Sequence, residues 1–111
     1  MRIASYSFGR IVVDGTEYRQ DVVVTPSGVR CPWWRRRGHR LDPADLEDLE
    51  PPGVLVIGTG ASGAMAVPPE TVRILEARGF RVHVAPTARA VELFNRLAAA
   101  GRAFAALHLT C

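Results

Sequence analysis

The 111 residues are enough for one domain with a single hydrophobic core and too few for two. A chain that is 48% apolar and 23% charged has the composition of a soluble globular protein, and no apolar run approaches the ~20 residues that a membrane-spanning helix requires. The formal net charge of +3 is modest, and all 14 basic residues are arginines. We expect a cytoplasmic protein with no membrane partner, in which either codon bias or heat adaptation explains the missing lysine.

The first part of the chain has the alternation and the turn signals of β-structure. Residues 3–8 suit a short edge strand. Strands at 10–13 and 17–24 flank Asp14-Gly15, a dipeptide whose preference for positive φ favours a tight hairpin turn. The first third of the chain is therefore predicted to be an antiparallel meander.

A second turn signal, Pro26-Ser27-Gly28, leads into residues 29–40, which we interpret as a further strand. In a strand the adjacent Trp33 and Trp34 point to opposite faces, so only one of them belongs to the core. The basic run Arg35–Arg40 is split between the two faces of that strand. This favours a solvated edge protected by arginine over a nucleic-acid surface, and we expect no nucleic-acid partner.

From Asp42 the pattern changes to alternating helices and strands. Asp42 suits the N-cap of a short helix with Pro43 at its first position, and Pro51-Pro52 ends it. Strand and helix then alternate with short connections, which predicts a parallel sheet with right-handed crossovers. The predicted elements are a strand at 54–57, a helix from Pro69 to a stop at Gly79, a strand at 80–84, a helix at 88–100 capped by Thr87, and a strand at 103–109.

The glycines at 58, 60 and 63 follow the strand 54–57 with the G-x-G-x-x-G spacing of a dinucleotide-binding loop. Pro68 and Pro69, however, delay the next helix by about six residues, so its N-terminus is not aimed at a pyrophosphate. The acidic residue expected near the end of the following strand is missing, and a P-loop is excluded because the chain has no lysine. We therefore predict no dinucleotide and no other cofactor.

Two interpretations of this loop stay open. The glycines permit a tight turn and close packing of the meander, or the loop binds a small molecule or anion through exposed N–H groups and hydroxyls. The predicted ligand set is then Gly58, Thr59, Gly60, Ser62, Asn95 and Arg102. Asn95 is expected to point from mid-helix at the loop, and Arg102 to clamp an anion from beyond the helix C-terminus.

No catalytic or metal-binding constellation is visible. The histidines at 39, 83 and 108 fall in three predicted elements without metal-ligand spacing, and we interpret them as buried, hydrogen-bonded residues, with His83 and His108 near each other. Cys31 and Cys111 lie far apart, and no structural disulfide is expected in a reducing cytoplasm. We predict no catalytic residue and no metal, and whether the protein is an enzyme stays open.

Several motifs together resemble those of a family of small domains with three layers, β/β/α. The family includes bacterial and archaeal proteins of unknown function, the animal adipogenesis-associated domain protein and a mitochondrial complex I assembly factor. The resemblance covers about Tyr6 to Leu109. It rests on Trp34 and His39 before D-P-x-D-L at Asp42–Leu46, on VLVIGTG at Val54–Gly60, on Pro86-Thr87 with Ala90-Val91, on Phe94-Asn95 with Leu97, and on Gly101-Arg102 before Ala105–Leu107.

The resemblance implies an α/β fold in which an antiparallel N-terminal meander packs on a small central parallel sheet with two crossover helices. It implies no agreed activity and no cofactor. Val91 stands where many relatives have cysteine, so a thiol mechanism inferred for them would not transfer. Our first hypothesis is a non-enzymatic protein-interaction or assembly module, monomeric or homodimeric, whose protein partner is unknown. The alternative is the small-molecule or anion binder described above.

Overall fold

The computed structural model describes residues 1–111, folded as two sheets and two α-helices. The chain also contains one four-residue 3-10 helix, Pro43–Leu46. The other elements are β1 (Ile3–Ser7), β2 (Arg10–Val13), β3 (Thr16–Tyr18), β4 (Val22–Thr25), β5 (Gly28–Arg30), β6 (Gly53–Thr59), α1 (Pro69–Ala77), β7 (Phe80–Ala85), α2 (Thr87–Ala98) and β8 (Ala103–His108).

The smaller sheet contains β1, β2 and β3 in that order, and both strand pairs are antiparallel. Asp14 and Gly15 connect β2 to β3 with φ values of 47° and 82°, as the hairpin signal predicts. The predicted meander is thus confirmed for these three strands. It ends there, because the chain turns away from this sheet at residues 19–21 instead of continuing one strand to residue 24.

The larger sheet has five strands in the order β5-β4-β8-β6-β7. β6 is central to a parallel group, pairing with β8 on one side and β7 on the other. The hairpin of β4 and β5, predicted as part of the meander, instead extends this sheet antiparallel to β8. The sheet is therefore mixed, and three of its five strands carry the predicted strand–helix–strand connectivity.

The molecule is α/β with three layers, β/β/α, and the central sheet is apolar on both faces. On one face it packs against the smaller sheet and α2, through a cluster that includes Ile3, Ile11, Val56 and Phe94. On the other face it packs against α1, the 3-10 helix and the irregular segments beside them, through a second cluster that includes Trp33. Burial on both faces explains why β6 reads as a continuous apolar run.

The segment 31–42 forms no strand, contrary to the sequence-based interpretation. It is nevertheless true that only one tryptophan is buried: Trp33 is 3% exposed and Trp34 is 77% exposed. The short helix entry at Asp42-Pro43 is confirmed, although the helix is of the 3-10 type and ends at Leu46. Neither α-helix has the length and apolar character needed to cross a membrane.

Candidate functional site

The glycine loop lies at the carboxyl end of β6, where an open α/β sheet ordinarily binds ligands. The next helix begins at Pro69, six residues after Gly63, as predicted. A dinucleotide pyrophosphate requires a helix N-terminus that follows the loop directly, and α1 does not provide one. None of the four cavities in the structure is lined by Gly58, Thr59, Gly60 or Ser62.

Residues 110 and 111 occupy the space in front of this loop. The Ala61 N–H donates to the Thr110 carbonyl at 2.6 Å. One main-chain oxygen of Cys111 accepts from the N–H groups of Ser62 at 3.3 Å and Ala64 at 3.0 Å, and from the Ser62 hydroxyl at 2.6 Å. Three donors thus converge on a single oxygen atom, which is the arrangement of an anion-binding nest.

Gly60 is required for that contact. Its φ is +106°, and a Cβ atom at this position would overlap the main chain of Cys111. The expectation that the glycines permit close packing is therefore correct for Gly60. It was wrong about the partner, which is the segment 110–111 and not the meander.

The threonine hydroxyls at this edge of the sheet are used within the protein. Thr87 accepts from the Gly60 N–H at 2.9 Å and donates to the His108 carbonyl at 2.6 Å. It is the first residue of α2 and does not cap it, because the N-cap position belongs to Pro86. Thr59 donates to the Ala85 carbonyl at 3.2 Å and is only 7% exposed. Both side chains hold neighbouring elements together at the carboxyl edge.

Asn95 does not point at the glycine loop. Its side-chain oxygen accepts from the Ile3 N–H at 2.9 Å, and its amide nitrogen donates to the Ile3 carbonyl at 2.8 Å. The side chain thereby mimics a neighbouring strand and attaches β1 to α2. The predicted proximity of Asn95 to the loop was wrong, because the backbone of Ile3, distant in the sequence, takes both of its hydrogen bonds.

Arg102 lies at the other end of the sheet from the glycine loop, where β6 and β8 begin. Its guanidinium donates to the carbonyl oxygens of Pro52 at 2.9 Å and Glu50 at 3.1 Å, and it lies over the Phe104 ring. It forms no ion pair with Glu76 or Glu92. The predicted clamp of loop and arginine does not exist, because the connection from α2 enters β8 at its amino end.

The most unusual polar cluster is at the carboxyl end of β8 and contains Asp21, Arg35 and His108. One carboxylate oxygen of Asp21 accepts from His108 Nδ1 at 2.8 Å and from Arg35 Nη2 at 2.9 Å. The other accepts from the Leu109 N–H at 2.8 Å. The side chains of Asp21, Arg35 and His108 are 17%, 5% and 6% exposed, so these polar groups are largely removed from water.

Hydrogen bonds lower the pKa of the Asp21 carboxyl in this cluster. Burial alone would raise the pKa of the Asp21 carboxyl, but the hydrogen bonds from His108, Leu109 and Arg35 outweigh it and hold that pKa below its usual value. Since Asp21 is then an acceptor only, His108 Nδ1 must carry the proton that joins them. Burial, and to a lesser extent the charge of Asp21, raises the pKa of nearby Tyr6, whose hydroxyl donates to the Leu109 carbonyl.

The histidines are not arranged as predicted. His83 and His108 lie on β7 and β8, which are separated by β6. The ring beside His108 is instead that of His39, at 5.5 Å between centroids. The interpretation of His108 as a buried, hydrogen-bonded residue is confirmed, whereas His39 is exposed. No three His, Cys, Asp or Glu side chains are grouped as a metal site would require.

Trp34 forms the centre of an exposed surface next to this cluster. Two cavities share it: one of about 240 Å³ that is also lined by Asp21 and Arg35, and one of about 520 Å³ that is also lined by Arg36 and Asp45. The prediction of a solvated arginine edge was wrong for Arg35, whose guanidinium is buried over the Trp33 ring. It holds for the exposed Arg36 and Arg37.

A family model described as "Protein of unknown function (DUF498/DUF598)" matches residues 3–109. The chain belongs to this family. The DUF498/DUF598 match spans both sheets and both helices, so the motifs that suggested a small domain family of unknown function are confirmed at that level.

Solved structures share the fold over 85–100% of their length. A conserved hypothetical protein from Pyrococcus horikoshii is 33% identical, with a TM-score of 0.81 and 100% of each chain covered. A protein from Bordetella parapertussis is 30% identical with a TM-score of 0.80, covering 97% of this chain and 94% of the other. A Bordetella pertussis protein described as an Mth938-like domain is 25% identical with a TM-score of 0.74, covering 97% and 85%. These descriptions assign no biochemical activity.

Asp21 and Arg35 were not predicted from the sequence to belong to one cluster with His108. Asp21 directly precedes the apolar strand β4, and Arg35 follows the buried Trp33. A lone carboxylate at the start of an apolar strand is a signal that a buried partner exists. The chain offers fourteen arginines, however, and nothing local distinguishes Arg35 from Arg36 or Arg37.

Proposed function

We propose that this protein is a protein-interaction or assembly module that binds its partner through the surface around Trp34. The observation that carries the proposal is the 77% exposure of that side chain, the highest among the exposed large apolar residues. Tryptophan and arginine are the residue types enriched at the energetic centres of protein interfaces. Here the exposed indole lies beside Arg36 and Arg37, which are exposed as well.

The chain on both sides of Trp34 is held in place. The Trp33 N–H donates to the Asp21 carbonyl at 2.8 Å, and Trp33 Nε1 donates to the Asp45 carbonyl at 3.2 Å. The Arg36 N–H donates to the Asp45 carboxylate at 3.1 Å. Trp34 is therefore presented on a segment that is already ordered, which reduces the entropy lost on binding.

The charges around Trp34 indicate the chemistry of the partner. The Arg36 side chain forms no ion pair, and Arg37 reaches the carboxylate of Asp42 only at 3.8 Å. The Arg36 guanidinium is thus free to meet a carboxylate, Arg37 has only a long and exposed ion pair, and the indole requires an apolar cleft. We expect a protein surface that offers an apolar pocket bordered by Asp or Glu.

The resemblance to the branch with the complex I assembly factor and the animal adipogenesis-associated protein supports the same role. The two thiols, Cys31 and Cys111, are free, as in proteins of a reducing compartment. We infer a cytoplasmic location, with no membrane or nucleic-acid partner. Arg35 is buried in an ion pair, so the arginine run does not present the pooled basic face that nucleic acid requires.

The test is site-specific photo-crosslinking in cells of the source organism, with a crosslinking side chain at position 34 and, as a matched control, at position 8. Phe8 is 66% exposed and lies in the turn between β1 and β2, so it samples a comparably exposed side chain at a different surface. A discrete adduct formed at position 34 and absent at position 8, and lost when Arg36 and Arg37 are changed to Glu, supports the proposal. No adduct, or the same adducts at both positions, overturns it.

A second candidate function is anion binding by the glycine loop. The observation that favours it is the convergence of the Ser62 N–H, the Ala64 N–H and the Ser62 hydroxyl on one oxygen of Cys111. An oxygen of phosphate or of a carboxylate would use the same donors after residues 110–111 move aside. Of the predicted ligands, this site retains Ser62 and needs the glycines for its shape, and it excludes Asn95 and Arg102.

Titration with inorganic phosphate, followed by amide NMR shifts, tests this candidate. Binding at the loop predicts saturable shifts at Ser62 and Ala64 that weaken in Ser62→Ala and persist in Ser27→Ala, a serine in a different turn. Shifts that do not saturate, or that are equal in both variants, rule the site out. Because position 34 is not involved, the two candidate functions fail independently.

A further inference from the structure

The outer edge of β7 is the one sheet edge that the protein leaves open. The two sheets have four edge strands, which are β1 and β3 in the smaller sheet and β5 and β7 in the larger. Edge strands present unpaired N–H and C=O groups, and folded proteins usually shorten, cover or charge them.

Three of the edges are blocked. The Asn95 side chain bonds both the N–H and the carbonyl of Ile3 on β1, and the register of that strand is interrupted between Ile3 and Ser5. β3 has three residues, and its Glu17 forms ion pairs with Arg10 and Arg19. β5 also has three residues and ends at Arg30, which forms an ion pair with Asp48.

β7 has none of these features. It is six residues long, contains no Pro or Gly, and pairs with β6 in an uninterrupted register from Phe80 to Ala85. Arg81 is its only formally charged residue, and Val84 is 44% exposed. Apart from the ladder to β6, the only hydrogen bond to this strand is that of the Thr59 hydroxyl to the Ala85 carbonyl. In a parallel pair alternate residues turn their N–H and C=O groups outward, so these groups of β7 have no partner within the chain.

We infer that β7 pairs with β7 of a second copy of this chain, antiparallel about a two-fold axis, so that two five-stranded sheets become one of ten strands. Directly opposite residues of an antiparallel pair have their side chains on the same face, so the axis must lie midway between the two copies of one residue. A register centred on His83 places Val82 of each copy opposite Val84 of the other. β-branched residues opposite one another stabilise a strand pair.

The charges and the other edges favour a second copy as the occupant. In this register Arg81 lies opposite Ala85 of the partner, so the guanidinium groups of the two copies do not face each other. Pairing also stops at two copies, because both outer edges of the ten-stranded sheet are β5 strands and this edge is blocked. A single pair of six-residue strands buries less than a standard interface, so the dimer should depend on protein concentration.

Sedimentation velocity over a concentration series tests the inference, using charge variants at Val84. In the proposed register the two Val84 side chains are diagonal neighbours across the axis, roughly 7–8 Å apart. Val84→Lys and Val84→Glu should each weaken self-association at least about threefold through like-charge repulsion, and an equimolar mixture should restore a heterodimer. Phe8→Lys and Phe8→Glu, at an exposed site in the turn between β1 and β2, should leave association unchanged.

Amide exchange provides an independent measurement. Exchange in β7 should slow as the wild-type concentration rises, while exchange in β3 and β5 should not change. A wild type that stays monomeric up to millimolar concentration overturns the inference, and so does a dimer whose association is the same in the Val84 variants. A monomer whose β7 binds an extended segment of another protein would also refute the second copy as occupant.

Discussion

At the scale of single residues, Asp21 connects several separate segments of the chain. Its carboxylate accepts hydrogen bonds from His108 of β8, from the Leu109 N–H and from Arg35 in the irregular segment. Its carbonyl also accepts from the Trp33 N–H. The chain changes sheet at Asp21, between β3 and β4, so this residue fixes the point at which the meander ends.

Changing Asp21 to Asn should lower the free energy of unfolding at neutral pH by about 3–5 kcal/mol, because it leaves the buried Arg35 without its counter-ion. The pH dependence has a definite sign. The pKa of Asp21 is lowered by folding, so its contribution is present above the unfolded-state value near 3.8 and is lost as the pH falls through the folded-state pKa. In urea unfolding across an acidic pH series, the free energy of unfolding should therefore fall less steeply with decreasing pH for Asp21→Asn than for the wild type.

The matched control is Glu70→Gln, an exposed carboxyl in the first turn of α1. It should keep the wild-type pH slope and change stability by less than about 0.5 kcal/mol. An Asp21→Asn protein with the same acid sensitivity as the wild type would mean that the cluster does not contribute to acid unfolding.

Gly60 gives the second prediction at this scale. Gly60→Ala forces a side chain into a residue with φ +106° and against the main chain of Cys111. Strain of this kind costs about 1–3 kcal/mol, and the overlap should also displace residues 110–111 from the loop. Chemical unfolding measures the first effect, and faster amide exchange at Ala61, Ser62 and Ala64 measures the second. Gly101→Ala, where no atom lies within 4 Å, is the control and should be close to neutral.

At the scale of elements, β1 depends on one side chain of α2. Asn95→Ala would leave the N–H and the carbonyl of Ile3 without partners, which should cost about 1–3 kcal/mol. The effect should be local, because the ladder between β6 and β8 does not involve Asn95. Amide exchange should accelerate in β1 and stay unchanged in β6, and Arg96→Ala, exposed on the same helix, should change neither.

The elements that the sequence predicted are those with local signals. The helix of Pro69–Ala77 is ended by a glycine with φ +114°, and Phe94 and Val91 of α2 are buried at helical spacing. Two of the failures involve long-range partners. Residues 19–21 break a predicted strand because Asp21 binds Arg35 and His108, and Asn95 faces β1 because Ile3 is there. No window of sequence contains both partners of these contacts.

Little of the site was predictable, because its residues are brought together or separated by the order of the strands. The spacing of the glycines correctly marked the carboxyl edge of β6, and the late start of α1 correctly argued against a dinucleotide. The positions of the other predicted site residues depend on the order of the strands. In that order Arg102 lies at the opposite end of the sheet from the loop, and β6 lies between the strands of His83 and His108. That order depends on which strands pair, which the local pattern leaves undetermined.

At the scale of the whole molecule, one face of the central sheet is covered by regular structure and the other largely by an irregular segment. The smaller sheet and α2 cover the first face. On the second, residues 31–52 contribute Trp33, Leu41, Leu46 and Leu49 to the core while making only one short 3-10 helix. This segment therefore has two roles, since it completes the core and also presents Trp34 to a partner.

The adjacent tryptophans allow these two roles to be separated. Trp33→Ala removes a side chain that is 3% exposed and should lower the free energy of unfolding by about 3–5 kcal/mol. Trp34→Ala removes one that is 77% exposed and should change it by no more than about 0.5 kcal/mol. Urea unfolding of the two variants measures the difference. If Trp34→Ala is as destabilising as Trp33→Ala, Trp34 contributes to the stability of the fold. Loss of a partner in that variant would then not identify an interface. If Trp34→Ala keeps full stability and loses the position-34 partner, the exposed indole is retained for binding alone.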